Sequence, residues 1–407
     1  MTGTRMRPIQ KTIALDEARA IVEGAVRPIG RTERVPLAAA NGRVLSCDVV
    51  STADVPPFSR AAVDGYAVRA EDTAGASGTD PRLLRCVGQV FTGQMPARRV
   101  DQGTCIEIAT GAPMPDGADA VVMVEDTNRD ASGVVSVFAA VAPRQNIGRQ
   151  GADIQSGQTV LRAGDVLNAS RVGSVAALGI AEVEVYARPR VAILSTGNEI
   201  VEPGEPLQPG QIYDINKFTL SSVFAEHGAV PVLYRTAIDT IEDLARAVDE
   251  CLREDVLVFS GGSSVGERDL ILDVIAAKGE VLFHGIALKP GKPTAFGIIG
   301  GKLIFGMPGY PTSCLTNGYI LVVPALRRMA RLSPHAVRSV TLPLGQRIAS
   351  VPGRHQIYTV RIAGATAMPA FKASGDITSM SQADGYIEIP AATDFVEAGE
   401  VVEVKLF

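Results

Sequence analysis

The sequence predicts a multidomain α/β plus β protein, in which a Rossmann-like, doubly wound α/β domain is accompanied by an inserted mainly-β domain, a connecting module and a C-terminal β-barrel. Three observations predict this class. Apolar β-branched runs alternate with helical apolar spacing from Arg190 to Pro311, short β runs separated by turn residues fill 82–141, and β composition returns over 333–407. Such an alternation is typical of a mostly parallel sheet with helices on its faces.

Two of the four predicted regions are discontinuous in sequence, because the inserted domain interrupts the chain. Each region is assigned by its dominant pattern and by the turn-rich stretches around it. The predicted bounds are 12–31 and 188–332 for the α/β domain, 32–50 and 158–187 for the connecting module, 51–157 for the inserted mainly-β domain, and 333–407 for the C-terminal β-barrel domain.

Composition excludes several classes of protein. Of 407 residues, 46% are hydrophobic and 20% charged, which indicates a folded chain with room for two to four domains. A net charge of −5 excludes a generally basic nucleic-acid binder, so local groups must attract any anionic ligand. Five scattered cysteines predict a reducing cytoplasm. No apolar run approaches the length of a membrane span, so we expect a soluble, cytoplasmic protein.

The first elements are a helix and the inserted β domain. Thr12–Val22 has apolar residues at helical spacing and acids in its early turns. In the inserted domain Asp64 stands among small apolar neighbours, either as a site residue or as a turn residue that bonds its own backbone. Thr110 begins a proline-rich loop near Glu125 and Asp126, which is either a site or a plain loop.

The α/β domain follows with regular alternation of strands and helices. Its expected elements are a strand at Arg190–Leu194, a helix at Asn216–His227, a strand at Ala229–Ile238, a helix at Ile241–Arg253, a strand at Asp255–Phe259, a helix at Leu270–Lys278, and short strands at Thr294–Ile299 and Leu303–Phe305.

The strand ends of this domain deliver loops rich in glycine, proline and charge. Because a doubly wound sheet binds ligands outside the carboxyl ends of its strands, we expect the binding crevice at this edge. Free N–H groups of the glycine-rich loop after Phe259, with nearby lysines, suit an anion. The loop residues at this edge are Ser195, Thr196, Gly197, Ser260, Gly261, Gly262, Lys289, Lys292, Pro293, Pro308 and Pro311.

Three acidic residues, Glu199, Asp239 and Asp269, also follow strand ends at this edge. Magnesium prefers carboxylate, water and phosphate oxygens, which Asp239 and Asp269 could help to supply. The alternative is that these acids cap helices and pair with lysines, and for each of them both interpretations stay open.

The C-terminal segment has short β runs separated by turns, which predicts a small barrel or sandwich. Its most site-like features are Arg354 and the loop from Ser374 to Ser379.

The motifs together resemble those of the molybdopterin molybdenumtransferases, a family called MoeA in bacteria and similar to the C-terminal part of gephyrin. The resemblance covers roughly residues 12–407, and several motifs are long enough to be specific. In chain order the motifs are Pro56-Pro-Phe with Asp64-Gly-Tyr-Ala, Thr110-Gly-Ala-Pro with Ala118-Asp-Ala-Val-Val-Met, Ser195-Thr-Gly-Asn-Glu, Tyr213-Asp-Ile-Asn216, Ser260-Gly-Gly-Ser-Ser-Val-Gly, Lys289-Pro-Gly-Lys-Pro and Gly306-Met-Pro-Gly-Tyr-Pro.

This resemblance implies a function and an assembly. It implies an α/β domain of the molybdopterin-binding type and a homodimer whose active site lies between that domain and the inserted domain of the other subunit. The implied reaction is the insertion of molybdate into adenylylated molybdopterin, with Mg²⁺-dependent release of AMP. A transfer partner would deliver the adenylylated substrate, and neither nucleic acid nor a membrane is implied.

The resemblance also implies roles for individual residues. Lys289, Lys292 and Pro293 match a loop associated with the pterin phosphate and molybdate, and Asp239 and Asp269 match acids tied to metal-dependent adenylate cleavage. The other matched positions are Glu199 beside the Ser-Thr-Gly motif, Asp64 and Thr110 in the inserted domain, and Arg354, Ser374 and Ser379 near the oxyanion.

Three positions depart from the family pattern. Ser59 stands where many members have aspartate, Gly285 where many have a basic residue, and Tyr310 where asparagine is frequent. Gly285 removes one expected pterin contact and is compatible with a different subgroup or with a preference for tungstate.

Two other functions remain as alternatives. A non-catalytic dimeric scaffold is possible because gephyrin uses the same architecture as an anchoring platform, although the acids and lysines here are largely intact. An adenylyltransferase acting one step earlier shares the α/β domain, but that type normally lacks the inserted and C-terminal β segments.

Overall fold

The computed structural model of the chain describes residues 11–236, 240–261 and 270–407. These residues form two units, of which one is Arg34–Val185 and the other comprises the parts of the chain on either side of it. Three predicted site residues, Asp239, Gly262 and Asp269, lie outside the described residues. Among the helices of the described ranges, none combines the length and apolar character needed to cross a membrane.

The unit Arg34–Val185 is mainly β, in agreement with the sequence pattern. It follows helix α1 (Leu15–Ala25), which belongs to the larger unit. Its elements are β1 (Thr32–Pro36), β2 (Val49–Val50), β3 (Arg60–Ala61), β4 (Gly65–Val68), β5 (Arg82–Val90), β6 (Thr104–Ile108), β7 (Ala120–Met123), β8 (Thr127–Arg129), β9 (Val134–Val137), β10 (Ile147–Gly148), β11 (Thr159–Leu161), α2 (Ala169–Ala177) and β12 (Glu182–Tyr186).

A six-stranded sheet in the order β7-β4-β6-β5-β9-β8 dominates this unit. Both of its faces are buried, because Tyr66 and Val68 of β4 pack into one apolar core while Ala67 between them packs into another. A third core joins Leu45 to Leu167 and to neighbouring residues of the stretches 35–49 and 161–185. Because successive side chains of a strand point to opposite faces of the sheet, short apolar runs supply the cores on both of its faces.

The larger unit begins, after α1, with the predicted α/β alternation. Its elements are β13 (Arg190–Ser195), β14 (Ile200–Val201), β15 (Ile212–Tyr213), α3 (Asn216–Glu226), β16 (Val230–Leu233), α4 (Ile241–Cys251), β17 (Val256–Ser260), α5 (Leu270–Lys278), β18 (Glu280–His284), β19 (Leu288–Lys289), β20 (Ala295–Ile299), β21 (Lys302–Met307), α6 (Pro311–Asn317), a π-helical turn at Gly318–Val322 and α7 (Val323–Met329).

The central sheet of this unit has the order β16-β13-β17-β21-β20-β18, and its first four strands are parallel. Ile193 and Val258 face a core shared with α1, α3, α6 and α7, whereas Leu194 and Phe259 face a second core shared with α4 and α5. Helices thus cover both faces, which confirms the doubly wound arrangement.

Strand β20 departs from the parallel pattern that the alternation predicts. It runs antiparallel to both β21 and β18. The reason is the tight connection through Gly300 and Gly301, whose positive φ values of 56° and 80° suit a two-residue hairpin. Strand β18 consequently points in the same direction as β21, so its carboxyl end reaches the same edge of the sheet.

The first helix starts at Leu15, three residues later than the spacing predicts. Ile13 instead forms an extended bridge with Ile286, in which the Ile13 N–H donates to the Gly285 carbonyl at 3.1 Å and the Ile13 carbonyl accepts from the Ala287 N–H at 2.8 Å. Backbone bonds to this loop replace the first helical turn.

The C-terminal segment forms a partly closed barrel. Its elements are β22 (Ser339–Pro343), β23 (Ile348–Ala349), β24 (His355–Ala363), β25 (Thr366–Pro369), α8 (Thr378–Ser381), β26 (Gly385–Ile389), β27 (Phe395–Val396) and β28 (Val401–Leu406). The main path is β19-β24-β26-β28-β22, and β25, which pairs with β24, returns to this path through a bridge from Ala367 to Leu344. Because β19 carries Lys289, the barrel and the α/β sheet share the segment that holds this lysine.

Candidate active site

Three parallel strands of the α/β sheet end level with one another. The ladder pairs Ser195 with Ser260 and Ser260 with Met307, and Thr196 N–H donates to the Ser260 carbonyl at 3.0 Å. The loops that begin at Thr196, Gly261 and Pro308 therefore start side by side at one edge. This arrangement is the one that the carboxyl-end rule predicts for a ligand crevice.

Close packing of these loops requires glycine at position 261. Gly261 has a φ of 101°, and a Cβ atom there would lie 2.4 Å from the Thr196 carbonyl oxygen. A Cβ atom on Gly309 would in turn be 3.6 Å from the Gly261 Cα atom. The loop after β17 is thus held between the loops after β13 and β21.

Two hydroxyl groups at this edge are buried without a partner. Ser195 Oγ and Thr196 Oγ1 make no hydrogen bond within the described part of the chain, and each residue is only 2% exposed. Buried polar atoms are normally paired, so unpaired hydroxyls at a sheet edge are candidates for ligand contacts. Glu199 follows on the exposed part of the same loop, and its carboxylate folds back over Gly197.

Asn216 anchors the loop after β21, a role that the sequence reasoning missed. Its Nδ2 atom donates to the Gly309 carbonyl at 2.8 Å. Next to it Lys217 is 2% exposed and forms ion pairs with Glu202 and Asp214. The family motif Tyr213-Asp-Ile-Asn216 marks this residue in the sequence. Only the hydrogen bond in the folded structure shows that Asn216 holds the loop at Gly309.

The lysine loop connects β18 to β20 at the same edge. His284 pairs with Ala295, and Ala295 pairs with Gly306 just before the end of β21. Between them Lys289 and Lys292 are half-buried, and within the described residues neither ammonium group forms an ion pair. Two unpaired lysines therefore remain available for an anionic ligand.

Residues of the C-terminal barrel adjoin both loops. Arg354 immediately precedes His355, which pairs with Leu288 in the parallel β19–β24 ladder next to Lys289. On the other side Thr312 N–H donates to the Ser374 carbonyl at 3.1 Å. Arg354 is thus next to the strand that pairs with the lysine loop, and Ser374 contacts the start of α6 after the proline loop.

Ser379 is placed differently from the other predicted residues of its loop. It is fully buried, and its Oγ atom accepts a hydrogen bond from Lys372 N–H at 2.9 Å. Its hydroxyl closes the loop that carries Ser374, so Ser379 supports this loop from within.

Gly285, one of the departures from the family pattern, is explained by the backbone conformation at this position. It ends β18 with a φ of 97°, and its N–H donates to the Thr294 carbonyl at 2.8 Å. A basic side chain would be strained in this conformation. The glycine therefore belongs to the turn that starts the lysine loop.

The predicted site residues of the smaller unit, Asp64 and Thr110, contact each other. Thr110 N–H donates to Asp64 Oδ1 at 2.7 Å, and this bond lowers the pKa of the exposed Asp64 carboxyl. Asp64 thus bonds a residue 46 positions away rather than its own turn. Such a bond favours the charged form of the carboxyl group.

A pocket of about 790 Å³ lies elsewhere in the larger unit. It is bordered by α1, α7 and the C-terminal sheet, with Val22, Tyr319 and Phe407 among its apolar walls. None of the predicted site residues lines it. This pocket is therefore separate from the candidate site at the sheet edge.

Glu388 on the wall of this pocket is the centre of an ion-pair cluster. Its carboxylate lies 2.8 Å from Lys405 Nζ, 3.2 Å from His355 Nε2 and 3.8 Å from Arg19. The contact with His355 has the largest effect on the pKa of Glu388, burial opposes it, and Lys405 and Arg19 add to it, so that the pKa falls to about 2.

Glu388→Gln is therefore expected to destabilise the larger unit in a pH-dependent way. A folded-state pKa lowered from 4.5 to about 2 corresponds to about 3 kcal/mol of stability, present above the unfolded pKa and lost as the pH falls towards the folded pKa. Urea unfolding should show a large deficit at neutral pH that shrinks below about pH 4. Glu403→Gln, at an exposed position of β28, is the control, and an equal Glu388→Gln deficit at both pH values would contradict the assignment.

Comparison with known proteins gives the class to which this fold and site belong. Three family models match successive parts of the chain, namely the MoeA N-terminal region (domain I and II) over residues 13–179, a probable molybdopterin binding domain over 192–328, and the MoeA C-terminal region (domain IV) over 341–407. With the loops gathered at one edge of a doubly wound sheet, these matches define a protein of molybdenum cofactor biosynthesis.

Full-length relatives identify the family within this class. Molybdopterin molybdenumtransferase 2 of Mycobacterium tuberculosis is 35% identical over 396 residues, which cover 93% of this chain and 95% of that protein. The molybdopterin molybdenumtransferase of Haemophilus influenzae is 32% identical, with coverages of 97% and 98%. A crystal structure of the molybdopterin biosynthesis MoeA protein from Pyrococcus horikosii is 41% identical, with coverages of 97% and 99% and a TM-score of 0.84. The chain belongs to the molybdopterin molybdenumtransferase family.

Proposed function

We propose that this protein inserts molybdate into adenylylated molybdopterin and releases AMP in a Mg²⁺-dependent reaction. The substrate carries phosphates and the incoming group is an oxyanion, so both need cationic groups and hydrogen-bond donors held in a fixed arrangement. The observation that carries the proposal is that two lysines without an ion-pair partner and two buried hydroxyls without a hydrogen-bond partner, as far as the described residues go, lie at one sheet edge.

The lysine loop and the barrel would bind the negative charge. Lys289 and Lys292 would contact the pterin phosphate and molybdate, while Arg354 and the loop at Ser374 would border the oxyanion from the barrel. In this proposal the protein acts by positioning and electrostatics rather than through a covalent intermediate. Ser195 and Thr196 would add hydroxyl contacts to the substrate.

The acids would hold the metal ion. Asp239 and Asp269 have the carboxylate donors that Mg²⁺ takes, and the described residues contain no group of three or more histidine, cysteine or acidic side chains suited to a metal. When bound, Mg²⁺ would neutralise charge on the leaving phosphate. Glu199 would contribute its carboxylate from the same edge of the α/β sheet.

The complete site would require a second subunit. Asp64 and Thr110 would be contributed by the inserted domain of the partner in a cytoplasmic homodimer, and a partner protein would deliver the adenylylated pterin. The hydrogen bond from the Thr110 N–H to Asp64 supports their action as a pair.

The test is an AMP-release assay with purified protein, adenylylated molybdopterin, Mg²⁺ and molybdate. We expect AMP release that requires both molybdate and Mg²⁺ and stops when EDTA is added. A non-catalytic scaffold would release no AMP above background, and formation of adenylylated pterin from ATP and molybdopterin would indicate an adenylyltransferase instead. Replacing molybdate with tungstate in the same assay decides which oxyanion is preferred.

A further inference from the structure

The lysine loop is held from inside by a buried polar triangle. The Gly291 carbonyl accepts hydrogen bonds from Thr294 Oγ1 at 2.8 Å and from Asn317 Nδ2 at 3.2 Å, and Asn317 Nδ2 also donates to Thr294 Oγ1. Thr294 and Asn317 are both fully buried. The two side chains thus fix a backbone carbonyl that lies between Lys289 and Lys292.

The fit between Asn317 and the loop is tight. Gly291 has a φ of 111°, and a Cβ atom there would lie 2.5 Å from Asn317 Oδ1. This oxygen has no hydrogen-bond partner within the described residues, although it is buried. A buried carbonyl oxygen without a partner is unfavourable, and an apolar residue at position 317 would avoid this cost. The amide is therefore explained by the two hydrogen bonds that its N–H groups donate to the loop.

The triangle is connected directly to the backbone of Lys292. The Lys292 carbonyl accepts from Ile286 N–H at 3.0 Å and from Thr294 N–H at 2.9 Å, so the residue that carries the hydroxyl also holds the Lys292 backbone. Asn317 ends α6, whose second residue, Thr312, contacts the Ser374 loop. Helix α6 therefore joins the lysine loop to the other candidate oxyanion loop.

We propose that Thr294 and Asn317 are positioning residues, which hold the Gly291 carbonyl and the Lys292 backbone so that Lys292 meets the anionic substrate beside Lys289. This inference rests on the proposed function, because it assigns the two buried residues to the lysines of that site. Neither residue needs to touch the substrate, since both act through the loop backbone.

The test compares two substitutions that separate the hydroxyl group of Thr294 from its methyl group. Thr294→Val keeps the shape of the side chain and loses the hydroxyl, whereas Thr294→Ser keeps the hydroxyl. We expect Thr294→Val to raise the KM for molybdate in AMP release by about tenfold, because both hydrogen bonds of the hydroxyl within the triangle are lost, with kcat changed less than about twofold. Thr294→Ser should stay within about twofold of the unmodified protein in both constants.

A double-mutant cycle separates positioning from a general structural role. In a Lys292→Ala background, Thr294→Val should add less than about a twofold further increase in KM, because the group it positions has been removed. Equal effects of Thr294→Val and Thr294→Ser, or an undiminished Thr294→Val effect in this background, would overturn the inference. If Thr294→Val does not yield folded protein, Asn317→Ala is measured with the same criteria.

Failure of the inference is distinguishable from failure of the proposed function. If Lys289→Ala and Lys292→Ala each leave AMP release unchanged, the site itself is wrong. If both lysine variants are impaired while Thr294→Val behaves like the unmodified protein, only the positioning role is wrong.

Discussion

Lys289→Ala is expected to lower kcat/KM for AMP release by on the order of a hundredfold or more, the cost of removing one preorganised donor to developing charge. The side chain is half-buried beside the β24 strand, and its ammonium has no ion-pair partner within the described residues. A half-buried cation interacts more strongly with a phosphate or oxyanion than one in bulk water does. The measurement is initial-rate AMP release at several molybdate concentrations.

The control for Lys289→Ala is a lysine at the opposite edge of the α/β sheet from the lysine loop. Lys302 starts β21 and lies 3.8 Å from Asp255. Lys302→Ala should retain kcat/KM within about threefold, because Lys302 lies at the amino-terminal end of β21, opposite the edge with the lysine loop, and Asp255 keeps its ion pair with Arg31. If Lys289→Ala loses no more activity than Lys302→Ala, the lysine loop is not the anion site.

Asp269→Asn is expected to reduce kcat for AMP release by about a hundredfold or more, since the amide keeps the size of the side chain but removes the metal-binding charge. Asp269 precedes α5 and lies outside the described residues, so the prediction comes from its place after a strand end and from the family resemblance. The rate should be followed as Mg²⁺ is titrated, and the variant should need more Mg²⁺ to reach its maximum.

Asp249→Asn is the matched control for the aspartate. Asp249 lies on α4, where it pairs with Lys278 at 2.7 Å on an exposed surface. Its Mg²⁺ dependence should equal that of the unmodified protein. Full activity of both Asp269→Asn and Lys289→Ala would reject the proposed site as a whole.

The sequence was most informative where local pattern and tertiary environment agree. The strand at Val256–Ser260 is buried at every position because both faces of a doubly wound sheet are covered, and helix Leu270–Lys278 has the predicted bounds. The carboxyl-end rule then brought Ser195, Ser260 and the loop after Met307 to one edge. These features follow from periodicity and short connections alone.

The sequence was less informative where a long-range contact decides the structure. The direction of β20 is set by the Gly300-Gly301 turn, a hairpin signal that the α/β alternation obscured. The anchoring roles of Asn216, Thr294 and Asn317 depend on partners that become neighbours only in the fold. No local pattern distinguishes such an asparagine from an ordinary helical one.

The most direct test is a crystal structure of the protein with AMP and molybdate bound. We predict that the anions lie within hydrogen-bonding distance of Lys289 and Lys292, against the loops that begin at Thr196 and Gly261. Anions bound only in the pocket between α1, α7 and the C-terminal sheet, with both lysines free of ligand, would contradict the assignment of the active site.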